Sequence, residues 1–191
     1  MGLLLTPTSK IIPAQRLWAL TQIPRLQTKR ELLSLLSLLN FFRIWVPNFA
    51  LHAKPLYQAT RGNLDEPLFT PTSLHTPIQT LIKHLLQAPS LYLPDYTKPF
   101  SLFVHSQQGH TLGILCQKRG DMWGPLAYLS KQIDLVMFGW PPCLQTLAST
   151  TLSIPEAQKL TRNAPLNVCS PCSFKDLLSH LAFLSLPPAQ L

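Results

Sequence analysis

The chain has 191 residues, 46% of them apolar and only 13% charged, which suits a packed core and excludes wholesale disorder. Nineteen prolines against seven glycines exclude collagen-like and glycine-rich classes, and four cysteines are too few for the disulfide scaffold of a small secreted domain. The net charge of +8 is lopsided: residues 1–62 hold eight bases and one acid, whereas residues 63–191 hold eight bases and seven acids. Such asymmetry points to two parts with different tasks.

The opening Met1-Gly2-Leu3-Leu4-Leu5-Thr6 fits the short N-myristoylation pattern, and a single acyl chain would bind membrane only marginally. No charged stretch followed by an apolar one reads as a secretory leader. A short helix is expected over Pro13 to Leu20, and Pro24 ends the segment that follows. Thr28-Lys29-Arg30-Glu31 is a capping-box pattern, in which the hydroxyl accepts from the Glu31 amide and the carboxylate reaches back. Leu32, Leu35, Leu39, Phe42 and Val46 then form one apolar stripe of a helix running to Pro47. At fifteen residues, Leu32 to Val46 is too short to cross a bilayer, so no transmembrane segment is expected.

Residues 61–72 are polar and turn-rich and read as a linker between a first part, 1–60, and a second, 73–191. In the linker Asp65 and Glu66 read as solvated turn residues. A helix is expected over Ser73 to Leu86, with Pro77 tolerated near its first turn. Strands follow over Phe100 to Val104, Thr111 to Gln117 and Pro125 to Leu129, with Lys118-Arg119-Gly120-Asp121 as a turn. A helix opening at Trp140-Pro141-Pro142 extends to about Ser153, Leu166 to Cys169 forms a fourth strand, and Ser173 to Leu184 a last helix. The fold class is α+β.

Chemistry that would mark an enzyme is sparse. Two-metal phosphodiester cleavage needs several carboxylates gathered around ions about 4 Å apart, and the eight acids are scattered through turns and helix ends. No phosphate-binding glycine frame, HExxH or GxSxG is present. Cys169-Ser170-Pro171-Cys172 has the spacing of half a zinc site, but Cys116 and Cys143 stand alone, and two ordinary thiols are the simpler reading. Neither a metal nor a cofactor is called for.

Phe41 to Phe49, then Lys54-Pro55-Leu56-Tyr57, resembles the thumb of a retroviral reverse transcriptase. Ala88-Pro89, Leu93-Pro94-Asp95, Lys98-Pro99-Phe100 and Leu102-Phe103-Val104 resemble the start of its connection region. Gly113 to Gln117, Ala127 to Lys131 and Gly139 to Leu144 continue the likeness in order. Residues 2 to 178 resemble gammaretroviral or endogenous retroviral polymerase polyproteins. The resemblance implies a small helical thumb-like unit followed by a truncated, degenerate RNase H-like α/β domain. The polymerase's YxDD-type aspartates would lie before this segment. At the three places where active relatives carry RNase H carboxylates, it puts His105, Gln145 and Pro171. The thumb also departs from pattern, with Leu33 and Ser34 for a usual Arg-Glu pair, and Ser37 and Asn40 for small residues.

The resulting expectation is a non-catalytic protein that binds an RNA–DNA or DNA duplex weakly and without sequence preference. Lys29, Arg30 and Arg43 are the candidate phosphate contacts. A protein-interaction or structural role is the alternative, through an apolar face of Leu33, Leu38 and Phe41, as is a translated remnant without selected function. The cytoplasm or nucleus, rather than secretion, is the expected location.

Overall fold

The computed structural model describes residues 3–23, 26–68 and 72–172. The helix expected over Ser173 to Leu184, the tail beyond it and Gly2 lie outside the described residues. Strand β1 (Leu4–Leu5) turns into β2 (Ser9–Ile11), which pairs antiparallel with the distant β3 (Leu91–Tyr92). The turn is held by Thr6, whose amide donates to the Ser9 carbonyl at 2.8 Å and whose hydroxyl accepts from the Ser9 amide at 3.0 Å. The sequence reading does not contain this small sheet, because two- and three-residue strands are too short to display a period of two.

Helix α1 (Ala14–Thr21) follows Pro13 as expected. Helix α2 (Lys29–Phe41) begins with the expected capping box: Thr28 Oγ1 accepts from the Glu31 amide at 3.2 Å, and the Glu31 carboxylate accepts from Thr28. The apolar stripe is buried throughout and is completed by Leu36, one turn beyond Leu32. The α-helix does not reach Val46, however. It stops at Phe41 and tightens into a 3-10 turn over Arg43–Trp45, which still sends Trp45 and Val46 into the core.

Helix α3 (Phe49–Ala59) starts from Asn48 in the left-handed conformation, at φ 59°, and encloses Pro55. It buries Phe49, Ala53 and Leu56, four and then three residues apart. Helix α4 (Thr72–Leu86) lies along α3 and adds Leu74, Leu81 and Leu85 to the same core. Residues 73–86, placed by the linker division with the second part, thus complete the first core. The intervening segment is no free tether, since the Leu68 amide donates to the Gln27 carbonyl at 2.6 Å and Leu68 is itself buried.

The second core belongs to a four-stranded sheet. Strands β4 (Phe100–Gln107), β5 (His110–Arg119) and β6 (Met122–Gln132) form an antiparallel meander, with a bulge at Leu115/Cys116. A short turn of helix, α5 (Leu135–Phe138), leads to α6 (Pro142–Thr161), which crosses over so that β7 (Leu166–Cys169) runs parallel to β4. The strand order is β6-β5-β4-β7. Helix α6 outruns its expected end at Ser153 because Pro155 is accommodated inside it. Its sheet-facing side is small and polar: Thr111 Oγ1 donates to the Ser149 carbonyl at 3.0 Å and meets Ser153 Oγ at 2.9 Å.

The two cores share Ile44 at their boundary, and Tyr128 and Tyr92 pack there from the two sheets. The Ala50 amide at the start of α3 donates to Ser130 Oγ on β6 at 2.9 Å.

Candidate nucleic-acid interface

The basic surplus of the first 62 residues is less open than the sequence suggests. Lys29, in the first turn of α2, has only 18% of its side chain exposed, and its ammonium is bonded to both the Glu66 carboxylate and the Arg61 carbonyl. Arg30 beside it donates through Nε and Nη2 to Asp65 Oδ1, at 3.0 and 2.8 Å. The two acids read as solvated turn residues are therefore the counterions of two candidate phosphate contacts. They are brought there by the segment that folds back on the α2 start, where Thr28 also bridges to Pro67. Linear sequence separates these charges by 35 residues or more, so only the fold-back reveals the pairing.

Arg43, at the 3-10 turn, lies elsewhere. Its guanidinium is 3.6 Å from Glu156 on α6, which also accepts from Lys159 at 3.0 Å. The Lys159 ammonium, with Arg43 and Lys131 nearby, holds the Glu156 carboxyl below its ordinary value against the opposing effect of partial burial. Arg43, Tyr128, Ser130, Lys131, Thr111 and Glu156 line a cavity of about 140 Å³ where the 3-10 turn meets β6 and α6. The three candidate bases thus divide between two places, each with its own carboxylates.

Other cations are also engaged. Lys10 sits 5.6 Å from the Trp45 ring centroid, and burial lowers its pKa. Arg119 and Arg162 stack on Tyr92 and Tyr96. Among the described residues, Arg16 and Arg61 are exposed, and neither is within ion-pair distance of a carboxylate. Of the expected apolar face, Phe41 is 44% exposed, Leu33 is half-buried, and Leu38 packs on the first core.

The three degenerate positions cluster at one end of the second sheet. The last paired residues of β4 and β7 are Phe103 and Cys169, so His105 and Pro171 each follow two residues further along neighbouring chains. Gln145 lies in the first turn of α6, and its amide donates to the Phe138 and Trp140 carbonyls at 2.7 and 2.8 Å. There it ties the α5 turn to α6. Among the described residues, no three His, Cys, Asp or Glu side chains converge on a point.

This architecture is found in retroviral reverse transcriptases. A foamy viral protease–reverse transcriptase solved with double-stranded DNA superposes with a TM-score of 0.80 at 20% identity, covering 98% of this chain and 37% of the other. A second, solved with an RNA/DNA hybrid, superposes with a TM-score of 0.80 at 22% identity, over 98% of this chain and 27% of its own. No family model matches the chain.

The sequence places the chain more narrowly: it is homologous to a segment of retroviral Pol polyproteins. It is 39% identical over 171 residues to the Gag-Pol polyprotein of baboon endogenous virus (strain M7), and 39% over 172 to the Pol polyprotein of feline endogenous virus ECE1. It is 37% identical over 179 residues to the Gag-Pol polyprotein of koala retrovirus. These matches take in 90–93% of this chain but only 10–16% of the relatives' length.

Proposed function

We propose that the chain is a non-catalytic, polymerase-derived protein that binds duplex nucleic acid weakly and without sequence preference. The observation that carries the non-catalytic half is the chemistry at the three aligned places. His105, Gln145 and Pro171 offer no carboxylate to a hard divalent ion, and the Gln145 amide is already spent on two backbone carbonyls. The binding half is supported by the shared fold with reverse transcriptases solved on DNA and on an RNA/DNA hybrid. Contacts of this kind need placed bases rather than base-edge readers, so binding is governed by salt.

Lys29 and Arg30 would reach a phosphate only by exchanging Glu66 and Asp65 for it, which keeps affinity low. Filter binding of a labelled RNA–DNA duplex, titrated with salt, tests the reading. Retention at low salt that falls steeply with salt is expected, whereas no retention at the lowest salt would overturn it. Cleavage of the hybrid with Mg²⁺ or Mn²⁺ would overturn the non-catalytic half. A protein-binding role has some support in the exposure of Leu5 and Trp18, at 67% and 66%, on the N-terminal hairpin and α1.

A further inference from the structure

Helices α3 and α4 bring together two histidines that stand far apart in sequence. The buried positions of α3 are Phe49, Ala53 and Leu56, and His52 lies beside them, one turn after Phe49 and one turn before Leu56. On α4 the buried positions are Leu74, Leu81 and Leu85, and His84 follows Leu81 by one turn. Each imidazole is therefore half-buried at the rim of the α3–α4 seam. The two ring centroids are 5.3 Å apart, with the ring planes inclined at 57°. His84 Nδ1 is buried and has no hydrogen-bond partner among the described residues. A buried ring nitrogen in that state calls for a partner that the neighbouring protein atoms do not supply.

We propose that His52 and His84 form a two-histidine zinc site, completed by water, that clips α3 to α4. Imidazole nitrogen is among the ligands that Zn²⁺ prefers, and either nitrogen of each ring can serve. With the ion about 2.0–2.1 Å from each nitrogen, each ring centre lies about 3.2 Å from it, and two such rings at a tetrahedral angle stand about 5.2 Å apart. The observed 5.3 Å matches that arrangement. At the right angle of an octahedral ion the rings would stand closer, at about 4.5 Å, so the spacing favours zinc over magnesium or manganese, as the nitrogen ligands also do. No third His, Cys, Asp or Glu converges on the pair among the described residues, so water fills the remaining positions and the ion stays exchangeable. The ion binds the folded chain in preference to the separated helices, and its binding free energy therefore adds to the stability of the α3–α4 contact.

The test is equilibrium urea unfolding of the full chain in zinc chloride and in EDTA, joined to imidazole ¹⁵N NMR of the same protein. Zinc should raise the urea midpoint of the parent, and the rise should be lost in His52→Gln and in His84→Gln. It should be kept in the double variant Cys169→Ser, Cys172→Ser, which removes the competing thiol pair. The ring nitrogens of His52 and His84 should shift together as zinc is added to the parent, a readout that needs no variant to fold. A parent midpoint that zinc leaves unchanged would overturn the proposal. So would a rise that survives either histidine variant, a rise lost with the two cysteines, or shifts confined to the other four histidines.

Discussion

Gln117 and Gly124 show how far single residues position the parts of this molecule. Gln117, buried on β5, accepts from the Asp95 amide at 2.8 Å and donates to the carbonyls of Asp95 and Lys98 at 2.7 and 3.1 Å. It thereby fixes the 93–99 loop on which the chain passes from the first core to the second. Gln117→Leu removes all three bonds and leaves the partly buried backbone groups of the 95–98 turn to water, so urea denaturation should show a loss of about 1–3 kcal/mol. Gly124 fails any larger residue for a different reason. A Cβ there would lie 2.6 Å from Tyr92 Cδ2, and the Tyr92 ring is itself held under Arg119. Gly124→Ala should cost about 1–3 kcal/mol by the same measurement, the usual penalty of overpacking. Neither role is written in the sequence. Both depend on a partner more than 20 residues away, and a polar residue or a glycine inside a strand pattern looks like a defect until that partner is known.

At the scale of elements, the legible parts were those in which local chemistry and tertiary packing agree. The α2 capping box and its leucine stripe announce themselves because cap, period and burial coincide in one window. Helix α3 was hidden: it has no capping side chain, starts from a left-handed Asn48 and contains Pro55, so packing against α2 and α4 overrides weak local signals. Helix α6 was cut short at Pro155 for the same reason. Pro155 is exposed and removes one i→i−4 bond, so Pro155→Ala should stabilise the protein by about 1–3 kcal/mol, read as a higher urea midpoint.

The α3–α4 contact also makes a prediction in pH. His52 on α3 and His84 on α4 have ring centroids 5.3 Å apart, and burial, with the His84 charge, lowers the His52 pKa from its ordinary 6.5. The unfolded chain therefore takes up a proton first as pH falls. Stability that is present above pH 6.5 is lost as the pH descends through the lowered folded value. The urea midpoint should drop as the pH falls from 6.5 to that lowered value and level off below it, and His52→Gln should flatten the drop.

For the whole molecule, the charge map is where sequence and structure differ most. The surplus of seven positive charges in residues 1–62 was legible by counting, and so was its implication of a polyanionic partner. What counting could not show is that Asp65 and Glu66, just past that boundary, return to the α2 start and neutralise Lys29 and Arg30. The fold thus supplies these two bases with carboxylate partners of its own. Exposed pairs such as Arg30–Asp65 contribute little to stability, about 0–1 kcal/mol, so removing the carboxylates should leave the fold intact while releasing the bases. If Lys29 and Arg30 contact phosphates, the double variant Asp65→Asn, Glu66→Gln should bind an RNA–DNA duplex more tightly at low salt. Its slope of log affinity against log salt should steepen by up to about 2, because each added phosphate contact contributes roughly 0.7–0.9. Adding Lys29→Ala and Arg30→Ala to the same background should return the slope to at most that of the parent. An unchanged slope in the carboxylate variant would remove the α2 start from the interface and leave any binding to bases elsewhere, the exposed Arg16, Arg43 and Arg61 among them.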